Sequence, residues 1–243
     1  MSMAKAAAWW HENGIWIQGT PAEYFSDGAR VISLVGGGGK TSLMYYLASV
    51  FQSRGYKTAA ITTTRIARPE VLCETFTECQ ACWDAGKYAV CGQFAADGKL
   101  MAPAPAFLER LLNEADVILN EADGAKRRPC KVPADHEPVL LPESDTVIAV
   151  MGLDALGAPV EEMCFRLEQM CALLDCDLHH QLAEEDMVRI LLSPHGSRKN
   201  VGDREYYIVL NKCDDKLRLE RGKKIVALLE AQGHTKTVLT RLQ

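Results

Sequence analysis

This 243-residue chain has few aromatic residues, no excess of positive charge and no long apolar run. Hydrophobic residues make up 48% and charged residues 24%, as in ordinary globular proteins, which excludes a disordered chain. The formal charge of -5 gives no electrostatic basis for binding nucleic acid. A membrane helix needs about 20 apolar residues, and no run approaches that length. We therefore expect a globular protein that binds neither nucleic acid nor a membrane.

The chain also lacks internal repeats and the cysteine pattern of a secreted domain. Its nine cysteines are an odd number at scattered spacings, and a chain of this size can bury a core without disulfides. The first twenty residues contain no signal-peptide core followed by a small-residue cleavage site. These features predict reduced thiols and a cytoplasmic location.

Short apolar runs alternate along the chain with helical patterns, which is typical of an α/β protein with buried parallel strands. The predicted strands are Val31 to Val35, Ala59 to Thr62, Val117 to Asn120, Val147 to Met151 and Tyr207 to Leu210. Ligands of such folds bind beyond the carboxyl ends of the strands. We predict one nucleotide-binding domain over residues 1–243.

Two regions depart from this alternation. Residues 1–30 predict an accessory segment with a helix, a short edge strand and a turn at Asp27-Gly28. Residues 160–200 predict a helical insert or lid, with helices from Cys164 to Cys176 and from Gln181 to Leu192.

A glycine-rich loop follows the first predicted core strand and precedes an amphipathic helix. Glycines let backbone N–H groups turn toward phosphate oxygens, a lysine adds positive charge, and the helix N-terminus favours an anion. A threonine hydroxyl after the lysine can bind Mg²⁺. The spacing fits GxxGKT and is shorter than the usual GxxxxGK[ST]. It predicts a P-loop NTPase-like three-layer sandwich with a mostly parallel sheet, whose phosphate site is Gly36, Gly37, Gly38, Gly39, Lys40, Thr41 and Ser42.

Two acidic residues, Glu121 and Asp123, end another predicted strand. Alternation along an extended strand points both carboxylates the same way, so they are candidates for binding Mg²⁺ and orienting the attacking water, with the division of roles open. Together with Lys40 they form the candidate catalytic set. Thr63 is a further candidate metal ligand, and capping of a turn by its hydroxyl is the alternative. The DxxG sensor of Ras-like GTPases is absent.

The segment Asn211-Lys212-Cys213-Asp214 follows the last predicted core strand. In an NKxD motif the aspartate accepts hydrogen bonds from the ring N–H and the amine of guanine, which adenine does not offer. Asn211, Lys212 and Asp214 therefore favour GTP over ATP, and an ordinary strand-to-helix turn is the alternative. The proline-rich residues 126–138 predict a switch or substrate loop.

Cys79 and Cys82 form a single CxxC, flanked by Cys73 and Cys91. Zinc sites usually show a second close pair, so we predict thiols packed on a helix, with a metal or redox site as the alternative. His179 and His180 are predicted to begin a helix and to have no metal-ligand spacing.

Several of these segments together resemble the YqeC family of selenium-dependent molybdenum hydroxylase accessory proteins. They are Val35 to Ser42, Thr62 to Thr64, Glu121 to Lys126, His136 to Pro138, Met151 to Gly157 and Leu210 to Lys212. The resemblance implies a role in maturing such a hydroxylase, with the apoprotein or its molybdenum cofactor as partner and nucleotide hydrolysis driving the step.

Three functions are compatible with these features. The first is a Mg²⁺-dependent GTP- or ATP-hydrolysing maturation factor, in which loops 62–68 and 123–138 open and close against a client. The second is an ATP-dependent small-molecule kinase or ligase, because the short loop also looks like that of the Mur ligases. The third is a nucleotide-sensing partner without catalysis. Two acids and a set of threonines favour the first.

Overall fold

A computed structural model describes residues 6–25, 28–67 and 69–242, so the predicted turn residue Asp27 and Arg68 of the 62–68 loop lie outside the described residues. The strands are β1 (Ala6–Glu12), β2 (Ile15–Gly19), β3 (Val31–Gly36), β4 (Thr58–Thr62), β5 (Ala89–Val90), β6 (Gln93–Phe94), β7 (Leu100–Met101), β8 (Val117–Glu121), β9 (Cys130–Lys131), β10 (Thr146–Gly152), β11 (Cys164–Phe165), β12 (Glu205–Asn211) and β13 (Thr237–Leu242). The helices are α1 (Pro21–Tyr24), α2 (Lys40–Ser53), α3 (Phe76–Asp84), α4 (Pro105–Glu114), α5 (Val160–Met163), α6 (Leu167–Leu174), α7 (Glu184–Leu192), α8 (Lys216–Ala231) and a 3-10 turn at Leu153–Ala155.

A nine-stranded sheet in the order β2-β1-β13-β12-β10-β3-β8-β4-β5 forms the centre of the fold. Neighbouring strands from β13 to β5 run parallel, and β1 and β2 add an antiparallel edge. All five predicted core strands are present within two residues of their predicted bounds. The prediction of an α/β fold with a mostly parallel sheet is therefore confirmed.

Helices cover both faces of this sheet. Alternate strand residues point to opposite sides, and the apolar residues on each side pack against helices. Ile32 and Leu34 of β3 pack in one cluster with α2, including Leu47. Val35 of the same strand lies in a second cluster with α7 and α8, and Val31 lies in a third with α4. No helix among residues 6–25, 28–67 and 69–242 is both long and apolar enough to cross a membrane.

The N-terminal segment contains the predicted short edge strand as β2 and a helix as α1, but β1 is an additional strand that forms a hairpin with β2. Trp9 of β1 pairs with Leu239 of β13, so the hairpin extends the main sheet, and the only helix in this described part is the four-residue α1. Backbone pairing to a distant strand leaves little trace in a local pattern, which explains the difference.

The helices of the insert are shorter than predicted. The helix expected from Cys164 begins at Leu167, since Cys164 and Phe165 pair with β9 and Arg166 has a φ of +68°, outside helical geometry. The helix expected from Gln181 begins at Glu184. His179 and His180 therefore precede α7, and His180 bonds the Asp186 side chain in its first turn, at 2.7 Å.

Candidate functional site

The glycine-rich loop lies at the carboxyl end of β3, between that strand and α2. Gly38 has a φ of +74°, and a Cβ there would lie 2.2 Å from the backbone nitrogen of Gly152 at the end of β10. The loop and the end of β10 thus approach so closely that only glycine fits.

Protein acceptors already bind the first N–H groups of this loop. The Gly36 N–H donates to the Asp123 carboxylate at 3.0 Å, the Gly37 N–H to the Val150 carbonyl at 2.8 Å and the Gly38 N–H to the Arg128 carbonyl at 3.1 Å. In α2, the Leu43 N–H bonds the Gly39 carbonyl at 3.0 Å. The N–H groups that precede Leu43 in the helix have no intrahelical acceptor, so the positive end of α2 is the part suited to an anion.

Lys40 lies at the start of α2 and is only 4% exposed. Its Nζ donates to the Gly36 carbonyl at 2.6 Å and pairs with Asp123 Oδ1 at 3.1 Å and Glu121 Oε1 at 3.5 Å. Burial lowers the pKa of this lysine, but the two carboxylates more than offset that effect and raise it. Lys40 is therefore a buried cation held between two acids.

Glu121 and Asp123 point to the same side, as alternation predicts, but they have different partners. Glu121 Oε2 accepts a hydrogen bond from the Thr41 hydroxyl at 2.6 Å. Burial raises the pKa of Glu121 in spite of Lys40 and Thr41. Asp123 accepts instead from the loop backbone and pairs with two lysines. The Glu121 carboxylate is thus hydrogen-bonded to the Thr41 hydroxyl, whereas the Asp123 carboxylate holds the glycine-rich loop in place.

The threonines at the end of β4 bond backbone groups. The Thr63 hydroxyl donates to the Val139 carbonyl at 2.6 Å, and the Thr62 hydroxyl donates to the Glu121 carbonyl at 2.8 Å. The Thr62 hydroxyl also accepts from the Thr64 N–H at 3.0 Å and so caps the turn that follows. The Thr63 hydroxyl instead bonds a distant loop, and metal binding by Thr63 would require the bond to Val139 to break. Within the described parts of the chain, no group of three or more His, Cys, Asp and Glu side chains is arranged to hold a metal ion.

Lys131 belongs to the site although sequence reasoning did not select it. Its Nζ is buried and contacts Asp123 Oδ2 at 3.0 Å, the Gly124 carbonyl at 2.8 Å and Glu137 Oε2 at 2.7 Å. Glu137 also pairs with Arg166 at 3.0 Å. We call residues 126–138 the strap. The sequence feature that could have indicated Lys131 is its position as a charged residue between the apolar Cys130 and Val132 in a proline-rich loop.

The buried Glu137 predicts a specific acid dependence of stability. Burial alone would raise the pKa of Glu137, but hydrogen bonds from Lys131 and Arg166 lower it to about 2. A depressed carboxyl pKa stabilises the fold above the unfolded value of about 4.3, and this contribution is lost as the pH falls toward the folded value. We expect Glu137→Gln to lower the free energy of unfolding by about 2 kcal/mol at pH 6, after screening is allowed for, and by much less near pH 2.5. Urea unfolding of both proteins across this range measures the difference.

An equal loss of stability at both pH values would contradict this role of the Glu137 carboxylate. Glu143→Gln is the matched control, because Glu143 lies on the exposed surface just beyond the strap. Its effect should be within about 0.5 kcal/mol at either pH.

The Asn211–Asp214 segment lies beside the glycine-rich loop. Asn211 Nδ2 donates to the Gly38 carbonyl at 2.8 Å, and Lys212 pairs with Asp154 at 2.6 Å. Asp214 is exposed and pairs with Arg218 at 3.1 Å. Asn211 thus supports the loop, while the Asp214 carboxylate stays accessible at the surface.

Four cysteines meet near α3. Cys79 and Cys82 lie on that helix as predicted, and Cys73 Sγ lies 3.6 Å from Cys82 Sγ. Hydrogen bonding with Cys91 lowers the pKa of Cys73 to about 7. All nine cysteines are free thiols. A cavity of about 730 Å³ lies elsewhere, beside Trp10, Tyr24 and Glu230.

Comparison with known proteins identifies the family. The family model described as YqeC protein matches residues 32–168, which include the glycine-rich loop, both acids and the strap, but not Asn211–Asp214. The uncharacterized protein YqeC of Escherichia coli (strain K12) is 34% identical over 191 residues, covering 70% of this chain and 71% of that protein. The chain belongs to the YqeC family.

Proposed function

We propose that this protein is a P-loop NTPase-like enzyme that binds a Mg²⁺–nucleoside triphosphate at Gly36–Ser42 and hydrolyses it. The observation that carries the proposal is Lys40, a buried cation beside the open N-terminus of α2, held by Glu121 and Asp123. Buried ion pairs seldom stabilise a fold better than apolar side chains would, so such a cluster is a candidate for function.

The sheet topology supports the same position. The chain passes from β3 to β4 and β8 on one side, and then to β10 and β12 on the other. The order therefore reverses between β3 and β10, and ligands of doubly wound sheets bind beyond the strand ends at such a point. The glycine-rich loop contacts the end of β10 at this position.

The residues present suit Mg²⁺ and triphosphate. The N-terminal N–H groups of α2 would bind phosphate oxygens, and Lys40 Nζ would turn from the Gly36 carbonyl toward them. The Thr41 hydroxyl and the Glu121 carboxylate are hard oxygen ligands of the kind that Mg²⁺ prefers. A bound Mg²⁺ would neutralise charge on the transferring phosphoryl group. Asp123, which keeps Lys131 and the Gly36 N–H as partners, would orient the attacking water.

Asp214 tests the preference for guanine. We expect wild-type protein to bind Mg²⁺–GTP at least about tenfold more tightly than Mg²⁺–ATP, and Asp214→Ala to remove most of that preference, because its carboxylate would bond the guanine ring N–H and amine. Isothermal titration calorimetry with both nucleotides measures this directly. Asp215→Ser is the matched control, since it removes a neighbouring charge but keeps an oxygen that can cap α8.

Equal affinities in the wild-type protein would reject the guanine assignment. Asn211–Asp214 would then be a turn that supports the loop, as the Asn211 contact with Gly38 already shows it to do. Hydrolysis of ATP only in the presence of an acceptor would favour the small-molecule kinase or ligase.

The proposed cellular role is in the cytoplasm, in the maturation of a selenium-dependent molybdenum hydroxylase, with the apoprotein or its molybdenum cofactor as partner. This role rests on membership of the YqeC family and on the nucleotide site. Its test is the molybdenum and selenium content of hydroxylase purified from cells without this protein. Unchanged contents would refute the role.

A further inference from the structure

A continuous series of ion pairs, buried except at the half-buried Arg166, leads away from the proposed phosphate site. Lys40 contacts Asp123, Asp123 contacts Lys131, Lys131 contacts Glu137, and Glu137 contacts Arg166, at 3.1, 3.0, 2.7 and 3.0 Å. We call these five residues the ion-pair ladder. Because positive and negative charges alternate along it, each inner member has two partners of opposite sign.

The backbone of the strap joins the same two regions. At one end, the Arg128 carbonyl accepts from the Gly38 N–H of the phosphate loop, and the Pro129 carbonyl accepts from the Gly152 N–H. Directly after Pro129, β9 of the strap pairs in parallel with β11, which directly precedes Arg166 and α6. The strap is therefore hydrogen-bonded both to the phosphate loop and to the insert.

Occupation of the phosphate site would change the charge balance of the ladder. Asp123 now shares Lys40 and Lys131. If Lys40 turns to a phosphate, Lys131 is the remaining lysine in contact with Asp123 among the described residues. A buried carboxylate without a cation is strongly unfavourable. Lys131 would move toward Asp123, and its bond to Glu137 would weaken.

Glu137 would then depend more on Arg166. Arg166 is the N-cap residue of α6 and is held in a left-handed backbone conformation, with its guanidinium 4.8 Å from the centre of the Phe165 ring. A change in the Glu137–Arg166 pair therefore acts directly on the junction between β11 and α6.

We propose that the strap and the ion-pair ladder transmit occupancy of the phosphate loop to the β11–α6 junction, so that the insert is the nucleotide-sensitive part of the protein. This inference rests on the proposed nucleotide site and goes beyond it, since it assigns Lys131, Glu137 and Arg166 as positioning residues. The two ends of the ladder are distinct sites whose states are coupled, as allosteric regulation requires.

Hydrogen–deuterium exchange of the full chain tests the coupling. We expect saturating Mg²⁺–GTP to change the exchange rate of residues 164–176 by about threefold or more in the wild-type protein. Arg166→Met should abolish this change while nucleotide still saturates the protein in a parallel calorimetric titration. Lys199→Met is the matched control, because Lys199 donates to the Ala134 and Asp135 carbonyls of the same strap but is not in the ladder. It should retain the change.

The outcomes separate this inference from the proposed function. If nucleotide saturates the wild-type protein and residues 164–176 exchange as before, the coupling is refuted and the nucleotide site stands. If Arg166→Met keeps the full change, the ladder is not the route. If neither GTP nor ATP binds the wild-type protein, the proposed function fails and the coupling fails with it. Glu137→Gln removes the other partner of the last pair and must give the same loss as Arg166→Met.

Discussion

Lys40→Met is expected to weaken binding of Mg²⁺–GTP by about 100-fold or more, which is about 3 kcal/mol of binding free energy. Methionine keeps most of the volume of the lysine side chain but cannot bond phosphate oxygens. Calorimetric titration of the purified variant measures the loss. Lys57→Met, at an exposed position beside Trp83, is the control and should bind like the wild-type protein.

Unfolding of the variant would imitate a loss of binding, so its stability must be measured as well. Asp123 keeps Lys131 as a partner, and Glu121 can take up a proton because burial already raises its pKa. We therefore expect Lys40→Met to lower the free energy of unfolding by less than about 3 kcal/mol, the lower end of the range for a broken buried pair. A folded variant with undiminished affinity would show that Lys40 does not bind the nucleotide.

Gly38→Ala is expected to destabilise the protein by about 3 kcal/mol. A positive φ of +74° costs a non-glycine residue about 1–2 kcal/mol, and the new Cβ would lie 2.2 Å from the Gly152 nitrogen, so that the backbone must shift at further cost. Chemical unfolding in urea measures the change. Gly55→Ala is the matched control, because Gly55 has a φ of +89° and no atom within 4 Å of the added Cβ.

The difference between the two alanine variants isolates the close approach of the glycine-rich loop to β10. Gly55→Ala should cost only the backbone strain, about 1–2 kcal/mol. Equal losses in the two variants would mean that the loop moves away from Gly152 without cost, and that the packing of these two segments does not fix the site.

The sheet was predictable because its central strands are buried on both faces and read as continuous apolar runs. Val31–Gly36 and Thr146–Gly152 show this clearly, since every residue of both strands is buried. The N-terminal hairpin was not predictable in the same way. Its pairing with β13 joins residues more than two hundred positions apart, and the pattern of Ala6–Glu12 does not specify that partner.

The same distinction applies to the candidate site. The glycine-rich loop and the acids Glu121 and Asp123 are local motifs that the sequence shows directly, and the structure brings both acids into contact with Lys40. Lys131 belongs to no such motif. It joins the site because it contacts Asp123 and because the strap pairs with β11, and both contacts link residues that are distant or unrelated in the sequence pattern. The boundary of α6 was misplaced because Cys164 and Phe165 form a strand with the same strap.

A crystal structure of the protein with Mg²⁺ and a non-hydrolysable GTP analogue tests the central claim most directly. We predict triphosphate at the N-terminus of α2, Lys40 Nζ on phosphate oxygens in place of the Gly36 carbonyl, and the metal beside Thr41 and Glu121. A nucleotide bound elsewhere, or one that leaves Lys40 paired with Glu121 and Asp123 as it is now, would contradict the claim.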